Sequence, residues 1–276
     1  MIGIFDSGFG GLTIFKEIYR ILPQYDYIYL GDNARYPYGS RSHETVYKFT
    51  EEAVDFLFKQ GCELIILACG TASSKALRSI QQKYLLEYYP NRRVLGIIIP
   101  LVEEAVKISK TGRIGIAGTM GTVNSNSYPL ELEKQKQKLG IDGDLQIFQA
   151  ACPLLVPFVE EGWTKRRETK MILRKYLRPL KLAKIDTLIL GCTHYPVLYK
   201  QIQGIMGKDC RVLNSGEIVA KSLADYLSRH SEMEIRLSKN GKIRFLTTDN
   251  AEKFNELGGK YFGIGVKAEL VKLDSV

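Results

Sequence analysis

The stretches ELIILACGTAS at residues 63–73 and DTLILGCTHYP at residues 186–196 decide the fold. Each one is a short apolar run that is followed by a small residue, a cysteine and, within two positions, a threonine. Apolar runs of this length, bounded by polar or small residues, predict buried strands. Because the same unit occurs once in each half of the chain, two similar sheets fit the sequence better than one.

Strand-like and helix-like segments alternate along the rest of the chain. The predicted strands are residues 2–5, 27–30, 64–67, 94–99, 113–117, 145–149, 187–190, 211–213, 243–247 and 266–273. The predicted helices are residues 12–22, 44–60, 73–88, 101–109, 128–139, 165–182, 197–206 and 217–230. This alternation predicts βαβ units with mainly parallel sheets. We therefore expect an α/β fold of two pseudo-symmetric, doubly wound domains, with an active site in the cleft between them.

Two points of the sequence suggest where the chain passes between these domains. Pro100 is expected to break the strand that precedes it, and it marks the first crossing. A second crossing near Cys210 would return the chain. The predicted first domain is therefore discontinuous, with residues 1–98 plus 211–276, and residues 99–210 form the second domain.

Composition excludes several classes of protein. The chain has 276 residues, of which 45% are hydrophobic and 25% charged, as is usual for globular proteins. No run approaches the roughly 18–20 apolar residues of a membrane span, and the first residues do not resemble a signal peptide, so we expect a cytoplasmic protein without a membrane partner. The net charge of +9 slightly favours an anionic substrate. Because charges of both signs alternate along the helices and no DNA-binding motif is present, we do not expect a nucleic-acid partner.

The cysteines divide into two groups. Five cysteines without close spacing predict free thiols in a reducing compartment, and neither a CxxC pair nor paired histidines indicate a metal site. Cys62, Cys152 and Cys210 are expected to be small buried side chains. Cys69 and Cys192 follow equivalent strands, and such a matched pair is harder to explain by packing alone.

Two thiols at matching strand ends can face each other across one cleft. The thiolate is the reactive form of cysteine, and its pKa falls near a helix N-terminus or a cation. Opposed thiols at residues 69 and 192 can therefore move a proton to and from opposite faces of one carbon. His194 is either a proton partner for Cys192 or a packed structural histidine. The chain has no nucleotide-binding fingerprint, and we expect no cofactor and no metal.

Polar loops follow other strands of the predicted sheets. They are DSGFGG at residues 6–11, GDNARYPYG at 31–39 and GTMGTVNS at 118–125. Ligands of parallel α/β sheets bind at the carboxyl ends of strands, where these loops lie. Each loop taken alone fits a structural turn equally well, with Asp6 as a helix cap or Asp32 paired with Arg35.

The motifs together resemble the glutamate racemases of the Asp/Glu racemase superfamily. FDSGFGGL at residues 5–12, GDNARYPYG at 31–39, ACGTAS at 68–73, CPLLVPFVEEG at 152–162 and LGCTHYP at 190–196 occur in family order and span nearly the whole chain. The resemblance implies cofactor-independent interconversion of L- and D-glutamate, which supplies D-glutamate for peptidoglycan synthesis. It also implies a homodimer.

The resemblance further implies roles for individual residues. Cys69 and Cys192 are implied as the two acid/base residues, with Asp6, His194, Asp32 and Glu160 as helpers. Glu161 can take the place of Glu160, because the sequence does not fix which of the two acids faces the cleft. The implied substrate-binding residues are Asp6, Ser7, Tyr38, Gly39, Gly70, Thr71, Thr122, Thr193 and His194.

One position departs from the family pattern. The family has Asn-Thr after the first cysteine, and this chain has Gly70-Thr71. The family asparagine contacts the substrate, whereas glycine offers only its N–H, although an adjacent water or side chain could fill the gap. Loss of one hydrogen bond to a charged ligand costs about 1.5–3 kcal/mol, which is roughly 10–100-fold in affinity or rate. Two alternatives therefore stay open: a racemase for aspartate or another amino acid, and a non-catalytic binding or regulatory protein with a degraded site.

Overall fold

Two parallel sheets organise the chain. The computed structural model describes residues 1–141, 143–263 and 265–273. Its strands are β1 (Ile2–Asp6), β2 (Tyr27–Gly31), β3 (Leu64–Leu67), β4 (Arg93–Gly96), β5 (Arg113–Gly118), β6 (Gln146–Ala151), β7 (Thr187–Leu190), β8 (Arg211–Val212), β9 (Ile243–Thr247) and β10 (Ala268–Leu270). The predicted α/β class with two mainly parallel sheets is confirmed.

The two sheets repeat one strand order. The first sheet has the order β10-β9-β2-β1-β3-β4, and the second has the order β6-β5-β7-β8. The core of the first sheet, β2-β1-β3-β4, thus corresponds strand by strand to the whole of the second. In this correspondence β3 matches β7, because each lies beside the first strand of its own sheet. The sheets therefore present the carboxyl ends of β3 and β7 at equivalent places.

Helices connect the strands. They are α1 (Leu12–Ile21), α2 (His43–Lys59), α3 (Gly70–Lys75), α4 (Leu77–Ser79), α5 (Leu85–Tyr88), α6 (Ile98–Ile108), α7 (Met120–Asn124), α8 (Ser127–Leu139), α9 (Leu155–Glu160), α10 (Arg167–Leu182), α11 (Tyr199–Met206), α12 (Ser215–Arg229), α13 (Ser231–Glu234) and α14 (Ala251–Phe262). A π-helical turn over Ile80–Tyr84 joins α4 to α5, so the predicted helix over 73–88 is one interrupted helical segment.

Two predicted boundaries need correction. The strand predicted over residues 94–99 ends at Gly96, and α6 begins at Ile98, so Pro100 lies in the first turn of a helix and does not break a strand. Proline is tolerated there because the first N–H groups of a helix have no partner within it. The last strand is also shorter than the predicted 266–273, since β10 covers only Ala268–Leu270.

The packing joins the two halves. One cluster of buried side chains includes Ile4 of β1 and Leu188 of β7, which belong to different sheets. Helix α1 of the first half packs against α12, and α12 also contacts α6. The division into domains 1–98 plus 211–276 and 99–210 remains a prediction, and residues 211–212 pair with β7 as β8 of the second sheet.

Candidate active site

The carboxyl ends of β3 and β7 carry two cysteines to one cavity. Cys69 lies two residues after β3 and Cys192 two residues after β7, and the two residues are only 5% and 7% exposed. The cavity has a volume of about 420 Å³ and is lined by loops from both sheets. Its lining residues are Ser7, Tyr36, Pro37, Tyr38, Gly39, Ser40, Cys69, Gly70, Thr71, Thr119, Met120, Pro153, Val156, Pro157, Glu160, Glu161, Cys192, Thr193 and His194.

The same kind of hydrogen bond anchors both strand ends. Ser73 Oγ donates to the carbonyl oxygen of Leu67 at 2.8 Å, and Ser215 Oγ donates to that of Leu190 at 3.1 Å. Each accepting leucine is the last residue of its strand and lies two residues before a cysteine. These serines satisfy carbonyls that the sheet leaves unpaired, so both cysteines extend from fixed backbone.

Cys69 caps a helix. Its thiol accepts from the N–H of Ala72 at 3.5 Å as the N-cap of α3, and Ser7 Oγ lies 3.3 Å from its sulfur. Burial and, to a lesser extent, the nearby Asp6 carboxylate together raise the pKa of Cys69 from 9.0 to about 11, against the opposing effect of these hydrogen bonds. The free protein therefore holds Cys69 as a neutral thiol at neutral pH.

Cys192 has a histidine as its neighbour. Its sulfur lies 4.0 Å from Nδ1 of His194, and Nε2 of that ring lies 2.9 Å from Oε1 of Glu160. The Glu160 side chain is 10% exposed and that of His194 3%. Burial raises the pKa of Cys192 well above its ordinary 9.0, while the N–H of His194 opposes the rise. When Nε2 donates to Glu160, Nδ1 is left as an acceptor that points toward the thiol.

Asp6 lies behind the cavity wall. It is fully buried at the end of β1, where it accepts from the N–H of Gly8 at 2.9 Å and from Thr193 Oγ1 at 3.2 Å. Burial raises the pKa of its carboxyl, and the nearby His194 opposes the rise. Asp6 does not line the cavity, and it connects the first sheet to the loop that carries Cys192.

Threonine hydroxyls form part of the wall between the sheets. Thr71 Oγ1 lies 3.0 Å from Thr119 Oγ1, which in turn lies 3.1 Å from Thr122 Oγ1. Thr119 lines the cavity and Thr122 is fully buried behind it. Of the residues predicted to bind substrate, the structure brings seven to the cavity wall: Ser7, Tyr38, Gly39, Gly70, Thr71, Thr193 and His194.

Asp32 is separated from the cavity by Tyr38. The fully buried Asp32 carboxylate accepts from Arg35 Nε at 2.7 Å, from Thr248 Oγ1 at 2.8 Å and from the Tyr38 hydroxyl. Tyr38 itself lines the cavity. Asp32 therefore holds in place Tyr38, which lies between it and the cavity.

The sequence left the choice between Glu160 and Glu161 open. Both residues line the cavity, but Glu160 is the one that contacts His194. Glu161 is the C-cap of α9 and is exposed. Tyr36 and Thr119 also line the cavity. Neither is among the residues predicted to bind substrate, although both lie inside the polar loops at residues 31–39 and 118–125.

Two kinds of feature are missing from the described ranges. Within residues 1–141, 143–263 and 265–273, no group of three or more His, Cys, Asp or Glu side chains is arranged to hold a metal ion. In the same part of the chain, no helix has the length and apolar character needed to cross a membrane. The five cysteines are all free and buried.

Known proteins resemble this chain along its whole length. The sequence profile described as Asp/Glu/hydantoin racemase matches residues 7–223. A glutamate racemase of Persephonella marina is 39% identical over 275 residues, which cover 100% of this chain and 98% of that protein. The crystal structure of the glutamate racemase isoform RacE1 from Bacillus anthracis superimposes with a TM-score of 0.89 at 34% identity and covers 99% of this chain and 97% of that one. The glutamate racemase from Francisella tularensis in complex with D-glutamate has a TM-score of 0.87 at 33% identity, with 100% and 98% covered.

Proposed function

The chain belongs to the Asp/Glu/hydantoin racemase family, and from that premise we propose that it interconverts L- and D-glutamate with the thiols of Cys69 and Cys192. Its relatives are named glutamate racemases, and the chain is accordingly an amino-acid racemase. The observation that carries the two-thiol proposal is the delivery of two cysteines, from corresponding strand ends of two sheets, to one cavity.

The proposed reaction is a proton exchange at the α-carbon. One cysteine, as thiolate, takes the α-proton and becomes a thiol, which leaves the electron pair of the broken C–H bond on the α-carbon. The other cysteine, as thiol, donates its proton to the opposite face of that carbon and becomes the thiolate. No oxidant or cofactor is needed, and the reverse direction uses the same two groups with exchanged roles.

The surroundings of the two thiols support different helpers. His194 lies beside Cys192 and is held by Glu160, so it is placed to accept or return a proton at that thiol. Ser7 lies beside Cys69 and supports the thiolate by a hydrogen bond. Asp6 acts from behind the wall by orienting Thr193, and Asp32 acts by orienting Tyr38.

The wall determines how an anionic amino acid would be held. Among the described residues that line the cavity there is no Lys or Arg, so the substrate carboxylates would be held by neutral donors. The hydroxyls of Ser7, Thr71, Thr119 and Thr193 and the backbone N–H groups around them are suited to this role. Supply of D-glutamate for peptidoglycan, a cytoplasmic location and a homodimer form part of the same proposal.

The test is a racemisation assay without added cofactor. L-glutamate, D-glutamate and L-aspartate are supplied separately in deuterium oxide, and circular dichroism and proton NMR follow inversion and the loss of the α-proton. Inversion of both glutamate enantiomers, with solvent deuterium in the product, is expected. Inversion of aspartate alone would show that aspartate, and not glutamate, is the substrate. If a folded, reduced protein inverts none of the three amino acids, the proposed function is overturned.

A further inference from the structure

A backbone contact beside the two thiols leaves no room for a side chain at residue 70. Gly70 follows Cys69, and Gly191 precedes Cys192. A Cβ atom added to Gly70 would lie 2.0 Å from the carbonyl oxygen of Gly191 and 3.1 Å from its carbonyl carbon. The peptide of Gly191 therefore occupies the place that a Cβ of residue 70 would take.

Neither the backbone at Gly191 nor the backbone at Gly70 can shift easily by itself. The N–H of Gly191 donates to the carbonyl oxygen of Ala117 at 2.8 Å, which fixes Gly191 to β5. On its other side, a Cβ on Gly191 would meet Tyr128 at 3.1 Å, so this peptide already rests against a buried ring. Gly70 is the first residue of α3, and its neighbour Cys69 is tied down by the N–H of Ser73 at 2.9 Å. A side chain at residue 70 must therefore push the two loops apart.

Other glycines lie along the same contact between the loops of the two sheets. A Cβ on Gly10 would lie 2.4 Å from both Thr193 Oγ1 and His194 Nδ1, and one on Gly121 would lie 2.8 Å from the carbonyl oxygen of Gly39. Residue 70 is the tightest of these positions, and its obstacle is backbone, which cannot rotate away as a side chain can.

We propose that Gly70 is a positioning residue: its missing side chain lets the loops of Cys69 and Cys192 touch, and this contact sets the distance between the two thiols. The inference rests on the proposed two-thiol reaction, because it assigns Gly70 a role in that reaction. A methyl group at residue 70 needs about 1.4 Å of additional separation to reach an ordinary contact of 3.4 Å. A misplacement of about 1 Å can cost about 10²-fold in rate.

The experiment compares Gly70→Ala with Gly204→Ala. Gly204 lies in α11 and has nothing within 4 Å of an added Cβ, so it is a matched glycine-to-alanine change without a collision. We expect Gly70→Ala to lower the rate of inversion roughly 10²-fold in both directions. The exchange of the α-proton with retained configuration should fall less, because one thiol alone can remove and return the proton. Gly204→Ala should behave as the unchanged protein.

A crystal structure of Gly70→Ala separates this inference from the proposed function. We expect the Cα atoms of residues 69 and 192 to lie roughly 1–1.5 Å further apart than in the unchanged protein, whether or not the protein racemises glutamate. Unchanged separation with a locally rotated Gly191 peptide, or full inversion by Gly70→Ala, would overturn the inference. If Gly70→Ala does not fold, Gly10→Ala pushes on the Cys192 loop instead, since its Cβ would lie 2.4 Å from Thr193 Oγ1 and His194 Nδ1. An unchanged distance between the Cα atoms of residues 69 and 192 in its crystal structure would overturn the inference.

Discussion

The two cysteine-bearing strand ends share a backbone and differ in their chemistry. Both β3 and β7 are four-residue buried strands at the same place in their sheets, and both end at a leucine whose carbonyl accepts from a serine hydroxyl. Cys69 then begins a helix and contacts Ser7. Cys192 instead leads into a 3₁₀ turn over Tyr195–Leu198 and contacts the His194–Glu160 pair.

The two strand ends therefore repeat the backbone but not the polar groups that lie beside each thiol. The repeated strand order explains why the two thiols meet in one cavity. The groups that help each thiol are not equivalent in the two sheets, since Ser7 follows the repeated strand β1 whereas Glu160 ends helix α9. We therefore expect a substitution beside one cysteine to affect the two directions of the reaction unequally.

Replacement of either cysteine by serine has the largest expected effect. A serine hydroxyl is too weak an acid to replace the thiol, and loss of one acid/base group costs about 10²–10⁴-fold in rate. Cys69→Ser and Cys192→Ser should each lose inversion in both directions, while each retains solvent exchange of the α-proton with a different enantiomer. Proton NMR in deuterium oxide measures both, with Cys210→Ser as the control. Inversion at the full rate by either variant would contradict the two-thiol mechanism.

His194→Asn tests the helper on the second side. Asparagine keeps a polar side chain but cannot carry a proton between Glu160 and Cys192, so we expect a loss of roughly 10²-fold in kcat. The loss should be larger for the enantiomer whose α-proton Cys192 removes, which the exchange pattern of the cysteine variants identifies. His43→Asn, an exposed histidine at the start of α2, serves as the control. An equal loss for both enantiomers would contradict the unequal division of helpers.

The pH dependence compares the two thiols directly. Burial raises the pKa of Cys69 to about 11 and that of Cys192 well above 9.0, so the thiolate needed to begin either direction is scarce at neutral pH. We expect kcat/KM, which reports the free protein, to rise about tenfold per pH unit from about pH 6 to 9. A rate independent of pH over this range would show that a thiolate is already formed in the free protein.

The raised pKa values of the two buried thiols also limit the pH range over which kcat/KM can be measured. A buried thiol stays protonated in the folded chain, whereas a thiol of the unfolded chain ionises near 9.0. The unfolded state then binds fewer protons, so the free energy of unfolding falls as the pH rises from 9.0 toward 11. Thermal unfolding recorded across this window should show a falling midpoint.

The strands could be predicted more fully than the helices. Runs such as LIIL and TLIL contain enough buried residues to predict β3 and β7. The sequence pattern does not predict helix α14, because Gly258 and Gly259 lie inside it and glycine lowers helix propensity. Packing favours glycine at residue 258, because a Cβ there would lie 3.0 Å from Val266. That contact depends on tertiary packing, which no local pattern reveals.

The site was predictable to the level of motifs. The two cysteines and His194 stand out because they follow predictable strands. The choice between Glu160 and Glu161 is different, because neighbouring residues at the end of a helix differ by about 100° in direction. Only the placement of α9 against the loop of Cys192 selects Glu160 as the partner of His194.

The pair Glu160→Gln and Glu161→Gln gives the smallest expected effect and the sharpest contrast between neighbours. Glutamine at residue 160 keeps an oxygen that accepts from His194 but loses the charge, which weakens a charge-assisted hydrogen bond to a neutral one and costs about tenfold in kcat. Glu161→Gln removes an equal charge from the same wall without a contact to His194, so we expect a change of less than about twofold. Steady-state rates in both directions measure the difference. A larger loss in Glu161→Gln than in Glu160→Gln would mean that the Cys192 side of the site depends on the charge of the cavity wall and not on the support of His194.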